Sequence, residues 1–297
     1  MEIGIFGFDS TVSGLTANVR AARDQGFGSY WMPQIFGLDA LTALAVAATE
    51  VDGIGLGTSV VPTYPRHPMV LAQQALTVNQ ISGGRLTLGI GLSHQPVVEG
   101  MWGISFDHPL RHMTDYLEVL MPLLAGERVS YTGEAVTGRG EVEVSADPCP
   151  VVIAALGPRM LELAGRQTDG TLTWMVGPKT LAEHTVPTIA AAAESAGRAA
   201  PQVIVGVPVC VTDDAEDARR RAATTYAIYG QLPSYRAMLD REGIEAPEEI
   251  AVIGGGAEVA ERLEVLVEAG ATLVAASEFG TAGEREATRE VLVGLLG

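Results

Sequence analysis

The sequence predicts a (β/α)8, or TIM, barrel that forms a single domain over residues 1–297. Three observations lead to this fold class. Short apolar segments alternate with segments of helical periodicity along the whole chain. The apolar segments are nearly continuous, which is typical of parallel strands that are covered on both faces. A length of 297 residues with 47% hydrophobic side chains is also ample for one large core.

The clearest repeat of this pattern lies between Gly53 and His94. An apolar strand, Ile54 to Val61, leads through a loop with three prolines into a helix from about Met69 to Ile81. The turn Ser82-Gly83-Gly84 then precedes a second apolar strand, Arg85 to Gly91. A strand, a helix and a second strand in this order form the repeating unit of an α/β fold.

The remaining elements continue the same rhythm. The other predicted strands are Glu2 to Phe8, Gly28 to Pro33, Pro150 to Ala155, Gly170 to Met175, Pro201 or Gln202 to Val211, and Ala271 to Ala276. The other predicted helices are Thr11 to Gln25, Leu38 to Glu50, Pro109 to Ala125, Pro158 to Gln167, Lys179 to Gly197, Asp213 to about Tyr229, Ala257 to Ala269 and Glu284 to Leu296. Eight alternations favour a closed barrel over an open doubly wound sheet.

Local signals support several boundaries. Gly26 is placed to take a left-handed cap after the first helix, and Asp213 and Asp214 suit the first turn of a later one. Two segments interrupt the rhythm and are interpreted as insertions: a polar hairpin from Arg128 to Val144, after the fourth helix, and Gln231 to Gly256, which contains one helix and precedes the last covering helix.

Composition excludes several classes of partner. The formal net charge of -17 repels phosphate backbones and anionic lipids, so we expect neither nucleic acid nor membrane as a partner. No basic leader segment precedes the first strand, and no apolar run reaches membrane-spanning length. Cys149 and Cys210 lie far apart in apolar surroundings and are expected to be buried thiols. We therefore expect a cytoplasmic protein.

In a barrel, function is confined to the carboxyl ends of the strands and the loops that follow them. The polar or aromatic residues at those positions are Asp9, Gln34, Ser59, Thr63, Tyr64, Arg66, His67, Ser93, His94, Gln95, Gly157, Arg159, Thr173, Trp174, Ser277 and Glu278.

These residues argue against three common chemistries. The five histidines form no HxH or HExxH spacing, so no metal site is expected. The fragment Gly57-Thr58-Ser59 lacks the second glycine of a nucleophile elbow. Asp9 and Glu278 belong to adjacent strands, which does not suit the opposed carboxylates of a glycosidase. An apolar, aromatic mouth with scattered polar groups favours a flat heteroaromatic cofactor.

Three segments carry a resemblance to a known family. They are GLGTSVVPTYPRHPMVLAQQALTVNQISGGRLTLGIGLSH, IAALGPRMLELAGRQTDG and YGQLPSYRAMLDREGI. Together they resemble the luciferase-like monooxygenase superfamily, and within it the branch that uses the deazaflavin coenzyme F420. The resemblance spans nearly the whole chain. It implies a barrel with insertions, commonly a homodimer, that transfers a hydride to or from the deazaflavin.

The resemblance also implies roles for individual residues near the third strand. A cis peptide bond that contacts the deazaflavin ring would join Ser59 and Val60. Thr63, two residues further on in the loop, would hydrogen-bond the ring edge or simply cap a turn. Tyr64, Arg66 and His67 would meet the acidic end of the cofactor, or would form a surface loop that its prolines make rigid.

Later strands supply the other implied contacts. The loop that contains Gly157, Pro158, Arg159 and Met160 would meet the phosphate of the cofactor tail, because a helix start offers unpaired N–H groups; a well-capped helix is the alternative. The residues after the fourth strand would approach the ring and the ribityl chain: Gly91, Leu92, Ser93, His94 and Gln95. His94 is a candidate proton donor. Trp174 would either contact the cofactor or fill the top of the barrel.

One position departs from the family pattern. Several deazaflavin enzymes carry an acidic residue and a histidine at the end of the second strand, where this chain has Pro33 and Gln34. Gln34 therefore joins His94 as a candidate catalytic residue, but a glutamine side chain cannot titrate. Any proton transfer must come from His94, Tyr64, Glu278 or water. The sequence predicts an F420-dependent oxidoreductase with an unidentified small organic substrate. The alternatives are an FMN-dependent monooxygenase of the same barrel and a cofactor-binding protein without catalysis.

Overall fold

The computed structural model describes residues 1–296, which contain twelve strands. They are β1 (Ile3–Phe6), β2 (Ser29–Met32), β3 (Gly55–Thr58), β4 (Val61–Pro62), β5 (Leu86–Gly91), β6 (Val129–Thr132), β7 (Thr137–Gly140), β8 (Val151–Ile153), β9 (Gly170–Trp174), β10 (Gln202–Val211), β11 (Val252–Gly254) and β12 (Leu273–Glu278). Eight of them form a closed parallel ring in the order β1, β2, β3, β5, β8, β9, β10, β12, and β12 pairs again with β1. The predicted (β/α)8 barrel is confirmed.

Helices cover the outside of this ring. They are α1 (Val12–Asp24), α2 (Ala40–Glu50), α3 (Pro68–Ser82), α4 (Gln95–Gly100), α5 (Pro109–Leu124), α6 (Pro158–Gln167), α7 (Pro178–Thr180), α8 (Val186–Ser195), α9 (Ala215–Tyr226), α10 (Pro233–Glu242), α11 (Gly256–Glu268) and α12 (Ala282–Gly294). A π-helical turn, Leu181–Thr185, joins α7 to α8 within the segment predicted as one helix. Among residues 1–296 no helix is both long and apolar enough to cross a bilayer.

The predicted helix boundaries have the expected local causes. Thr11 caps α1 by accepting a hydrogen bond from the Gly14 N–H at 3.1 Å. Gly26, just beyond the end of α1, has a φ of 93°, a conformation that favours glycine. Asp214 caps α9 by accepting from the Asp217 N–H at 3.0 Å. Short-range chemistry therefore sets these helix ends, as the sequence predicted.

Two tryptophans fill part of the barrel interior, and glycines on other strands make room for them. A Cβ atom on Gly57 would overlap the ring of Trp31, which lies on β2 beside it. A Cβ on Gly206 would lie 3.0 Å from the ring of Trp174, its partner on β9. The Trp31 indole N–H donates to Ser29 Oγ at 2.9 Å, which satisfies the buried donor.

Three details of the predicted architecture were wrong. The insertion from Gln231 to Gly256 contains a strand as well as the predicted helix. Its end forms β11, which pairs with the last residues of the long strand β10. The loop after Ser93 contains the short helix α4, which begins with a proline in its first turn. The third strand was predicted to run to Val61, but it ends at Thr58, and the chain resumes as β4. In each case the decisive partner is distant in sequence or the element is only a few residues long.

The hairpin insertion is confirmed. β6 and β7 pair as antiparallel strands after α5. Asp115 on α5 holds this hairpin, since its carboxylate accepts hydrogen bonds from the Tyr131 hydroxyl and the Ala135 N–H, both at 2.7 Å. These bonds and that of the Val136 N–H lower the pKa of Asp115 despite its burial. Cys149 and Cys210 are both buried and unbridged, as expected.

We expect Gly57→Ala to destabilise the barrel, because the added methyl group would overlap the Trp31 ring. Overpacking of this kind costs about 1 to 3 kcal/mol. The thermal unfolding midpoint would fall correspondingly. The matched control is Gly28→Ala, since Gly28 is exposed and no atom lies within 4 Å of a Cβ placed there. Equal midpoints for the two variants would contradict the packing argument.

Candidate functional site

One half of the barrel mouth, formed by β3, β5 and β8, is built from small residues. The peptide bond between Ser59 and Val60 is cis, as the resemblance implied. Gly91 on β5 faces this segment, and a Cβ there would lie 2.6 Å from Val60 Cγ2. A Cβ on Gly89 would overlap the Thr58 carbonyl oxygen. Only glycines at these two positions allow β5 to approach the segment so closely. We refer to the surface formed by residues 58–60, Gly89 and Gly91 as the shelf.

Two polar groups of this half have distinct surroundings. Thr58 Oγ1 donates to the Gly89 carbonyl at 2.8 Å and accepts from the Gly89 N–H at 2.9 Å, so both of its functions are used. Ser59 Oγ, in contrast, is buried without a hydrogen-bond partner among residues 1–296. An unpaired buried hydroxyl at a strand end is a candidate contact for a ligand.

A histidine that the sequence analysis did not single out lies behind this shelf. His112 on α5 stacks flat on Tyr64, with ring centroids 3.9 Å apart. Its Nε2 atom lies 3.0 Å from Thr63 Oγ1, so the hydroxyl predicted to meet a cofactor already has a protein partner. Burial lowers the pKa of His112 to about 4, an effect that nearby Asp115 opposes. No sequence motif indicated this residue, because a helix on the far side of the loop carries it.

The other half of the mouth is aromatic. Phe6 at the end of β1 stacks on Trp174 at the end of β9, with ring centroids 5.0 Å apart. Because other strands separate β1 from β9 on both sides of the ring, this contact crosses the barrel interior. The segment between α9 and α11 adds Tyr229, with its ring centroid 6.3 Å from that of Trp174, and Tyr235, with its centroid 4.8 Å from that of Tyr229. We refer to Phe6, Phe8, Trp174, Tyr229 and Tyr235 as the aromatic wall.

Charged residues at the strand ends are turned away from the mouth. Asp9 accepts hydrogen bonds from Tyr30 at 2.6 Å and from Asn18 on α1 at 2.7 Å. Glu278 pairs with Arg289 on α12. Arg66 likewise pairs with Asp39 at the start of α2. The Asp9 and Glu278 side chains therefore contact helices outside the ring. Glu278 and Arg66 are neutralised by an opposite charge, and Asp9 is held by two uncharged donors.

Beyond β8, the start of α6 opens onto a cavity of about 760 Å³. The predicted loop residues Gly157, Pro158, Arg159 and Met160 line it on one side, and His108 and Arg111 at the start of α5 line it on the other. Arg111 pairs with Glu134 of the hairpin loop, whereas Arg159 is exposed. A helix start and an arginine facing a cavity form a suitable site for an anion.

Several predicted site residues are engaged elsewhere. The Gln34 side chain accepts a hydrogen bond from the Ala40 N–H at 3.1 Å, which fixes the loop before α2. Gln95 donates to Glu99 within α4 at 2.9 Å. His67 caps α3 and its Nε2 atom lies 2.9 Å from the Thr137 carbonyl oxygen of the hairpin. These contacts give Gln34, Gln95 and His67 structural roles.

Ser93 and His94 remain at the mouth after β5. Ser93 has a φ of 62°, the left-handed conformation that turns the chain there. The His94 ring is half-buried and meets Tyr235 of the insertion edge-on, with centroids 5.9 Å apart. Burial lowers the pKa of His94. His94 thus connects the β5 loop to the aromatic wall.

Comparison with known proteins identifies the family. Residues 8–273 match the family model described as luciferase-like monooxygenase. The chain belongs to the luciferase-like monooxygenase family.

Relatives within this group include enzymes named for coenzyme F420. The chain is 34% identical to 5,10-methylenetetrahydromethanopterin reductase from Methanolobus tindarius over 239 residues, which cover 80% of this chain and 72% of the relative. It is also 34% identical to a putative coenzyme F420-dependent oxidoreductase from Mycobacterium tuberculosis, over 54% of this chain and 51% of that protein.

Solved structures share the barrel of this luciferase-like chain. The coenzyme F420-dependent tetrahydromethanopterin reductase from Methanopyrus kandleri superposes with a TM-score of 0.82 at 23% identity, covering 98% of this chain and 97% of the other. An F420-dependent secondary alcohol dehydrogenase superposes with a TM-score of 0.81 at 19% identity, with the same coverage. At these identities the likeness shows a common fold.

The buried position of His112 generates a prediction about pH. Its pKa is about 4 in the folded protein against an ordinary value of 6.5, so between these pH values the unfolded chain binds more protons at this site. The stability contributed by neutral His112 is therefore present above pH 6.5 and is lost as the pH falls towards 4. We expect the thermal midpoint of His112→Gln to fall less steeply across this window than that of the unsubstituted protein. His108→Gln, which removes an exposed histidine near the same helix start, should keep the original steepness. A slope for His112→Gln equal to that of the unsubstituted protein would refute the assignment.

Proposed function

We propose that this chain is an oxidoreductase that transfers a hydride between coenzyme F420 and a small organic substrate. The observation that carries the proposal is the combination, on one side of the barrel, of the shelf at β3 and β5 with the anion-receptive helix start after β8. The relative from Mycobacterium tuberculosis that is named for F420 supports the same cofactor. The hydride transfer and the identity of the substrate are the new parts of this proposal.

The residues of this half fit a deazaflavin with a phosphate-containing tail. Gly89 and Gly91 let β5 pack directly against the cis segment, so a flat ring would meet backbone and the small side chains of Ser59 and Val60 there. Ser59 Oγ is a buried hydroxyl in need of a partner, and a ring-edge oxygen or nitrogen would satisfy it. In the proposed mode Val60, Gly91 and Ser93 contact the ring side, while Arg159 and the start of α6 hold the phosphate.

The coenzyme would supply the carbon that donates or accepts the hydride. The protein supplies orientation and a partly enclosed, apolar surrounding at the mouth. His94 is our candidate for proton transfer, because its ring is the titratable group of the β5 loop that faces the aromatic wall. Its lowered pKa keeps the imidazole neutral at neutral pH, which leaves one nitrogen open to accept a proton. Gln34 can act only on the loop geometry, since its side chain oxygen holds the Ala40 N–H.

An FMN-dependent monooxygenase is the second candidate, because the family model takes its description from that reaction. The two cofactors share a tricyclic ring and a phosphate, so the shelf and the α6 start would accommodate either.

The homodimer and the cytoplasmic location stay predictions. Exposed Val46 on α2 and Val70 and Ile81 on α3, two helices that pack together, are compatible with an interface there.

Titration with oxidised F420 and with FMN, followed by fluorescence, tests the cofactor. We expect F420 to bind more tightly than FMN, and Arg159→Ala to weaken F420 binding on the order of tenfold through loss of a charge-assisted hydrogen bond. The deazaflavin chromophore without its phosphate-containing tail should bind equally to both proteins.

The matched control is Arg166→Ala, which removes an exposed arginine from the last turn of the same helix, where it pairs with Glu162. Its F420 affinity should be unchanged. Tight FMN binding without F420 binding would overturn the proposal in favour of the monooxygenase. Reduced F420 that no acceptor in a broad carbonyl, imine and alkene panel reoxidises would favour a binding protein without catalysis.

A further inference from the structure

We propose that the aromatic wall binds an uncharged, largely apolar substrate with a planar body and one carbonyl oxygen, to which the Trp174 indole N–H donates a hydrogen bond. The assignment rests on the proposed function, because it places the substrate opposite the shelf that would hold the coenzyme. It adds a chemical class for the substrate and moves Trp174 from the cofactor to the substrate.

The Trp174 indole N–H is an unsatisfied hydrogen-bond donor. Trp174 is only 9% exposed, and its Nε1 atom is buried without a hydrogen-bond partner among residues 1–296. Burial raises the pKa of the Tyr229 hydroxyl, and the nearby Trp174 indole opposes that rise. The distance and angle between the two groups nevertheless leave the Trp174 N–H without a hydrogen bond. A buried N–H without an acceptor is unfavourable, so a ligand oxygen that accepts from it removes that penalty. The other interior tryptophan, Trp31, has its donor satisfied by Ser29.

Aromatic rings at several inclinations surround the Trp174 indole. Phe6 stacks beneath Trp174, with the planes inclined by 30°. Phe8 and Tyr229 both stand edge-on to the same indole, at 6.4 and 6.3 Å between centroids and at interplanar angles of 69° and 60°. Rings inclined to one another around a common indole offer faces and edges to a planar guest, the arrangement that aromatic groups prefer.

Several charged groups at the strand ends and on the insertion are held by protein partners. At the strand ends Asp9, Arg66 and Glu278 are all paired with protein groups. On the insertion, Arg236 bonds to Asp240 and to backbone carbonyls, and the Glu242 carboxylate accepts from the Lys179 and Thr180 N–H groups. A carboxylate or phosphate brought to the aromatic wall would lose its hydration without gaining a counter-charge, which is unfavourable.

Exposed apolar side chains form a rim around the mouth. Five large apolar side chains on the segments around the mouth are more than half exposed: Phe8 at 59%, Ile35 at 56%, Phe36 at 60%, Met101 at 61% and Ile228 at 53%. Phe8 follows β1, Ile35 and Phe36 follow β2, and the last two follow β5 and α9, so the rim extends the apolar surface of the aromatic wall outward. An apolar substrate larger than a single ring would bury part of this surface.

Binding of a matched pair of probes tests the inference. The probes are benzylideneacetone, an uncharged planar ketone, and its para-carboxylate. Affinities are measured by calorimetry on the full chain, both alone and saturated with oxidised F420, in which no turnover occurs. We expect the ketone to bind at least about tenfold more tightly than the carboxylate, because the carboxylate must be desolvated. Trp174→Phe keeps the ring but removes the donor, and should weaken ketone binding about three- to tenfold.

The controls separate the substrate role from a structural one. Trp102→Phe changes a half-buried tryptophan outside the aromatic wall and should leave both affinities unchanged. Trp174→Phe should leave the F420 affinity within about twofold, whereas Arg159→Ala should change F420 affinity and not ketone affinity. If Trp174→Phe fails to fold, Tyr229→Ala provides the second variant, with an expected loss of ketone affinity of at least about threefold.

The outcomes distinguish the two proposals. Equal affinity for both probes, unchanged ketone binding in Trp174→Phe, or a greater loss of F420 than of ketone in that variant would each overturn this inference. If the ketone pattern holds while F420 does not bind, the proposed cofactor fails and the substrate assignment stands. If F420 binds in an Arg159-dependent manner and the ketone does not bind, the substrate assignment fails and the proposed cofactor stands.

Discussion

The close approach of β5 to the segment at Thr58, Ser59 and Val60 is the contact on which the rest of the mouth depends. Gly89 and Gly91 permit it because a Cβ at either position would collide with the Thr58 carbonyl or with Val60. The Thr58 hydroxyl stabilises this contact, because it donates a hydrogen bond to the Gly89 carbonyl and accepts one from the Gly89 N–H. The chain beyond is free to fold back as β4, which pairs with β5 and carries Thr63 to His112. The shape of the shelf is thus a consequence of backbone packing.

The shelf and the aromatic wall form the two halves of the mouth. Charged side chains are stabilised outside these two surfaces. The chain carries a net charge of -17, yet Arg66 and Glu278 at the strand ends pair with groups outside the mouth or in its loops. A charge left in the low-dielectric mouth would need a partner there. The exposed Arg159 lies instead beside the cavity at the start of α6. Apolar and anionic recognition are therefore separated, which suits a cofactor with a flat ring and a charged tail.

Helices and insertions, rather than strands, complete the site. Tyr229 and Tyr235 reach the aromatic wall from the segment between α9 and α11, and His112 reaches the loop after β4 from α5. Their contribution was not visible in the strand-end analysis because each contacts the mouth across a large separation in sequence. A weak signal existed for Tyr235, since it lies in the insertion that departs from the barrel rhythm, whereas Tyr229 fell at the end of a predicted helix. His112 had no such signal.

The sequence by itself determined the barrel, the order of its strands, the hairpin and the helix caps, because apolar periodicity and capping chemistry act over short distances along the chain. It also determined, through a resemblance, the cis bond between Ser59 and Val60. Only the tertiary structure decided that Gln34, Gln95 and His67 are engaged in local contacts, that β11 extends the sheet, and that the Trp174 donor is unpaired. The physical reason is that a side chain's hydrogen-bond partner depends on the distances between elements remote in sequence, which periodicity along one segment does not encode.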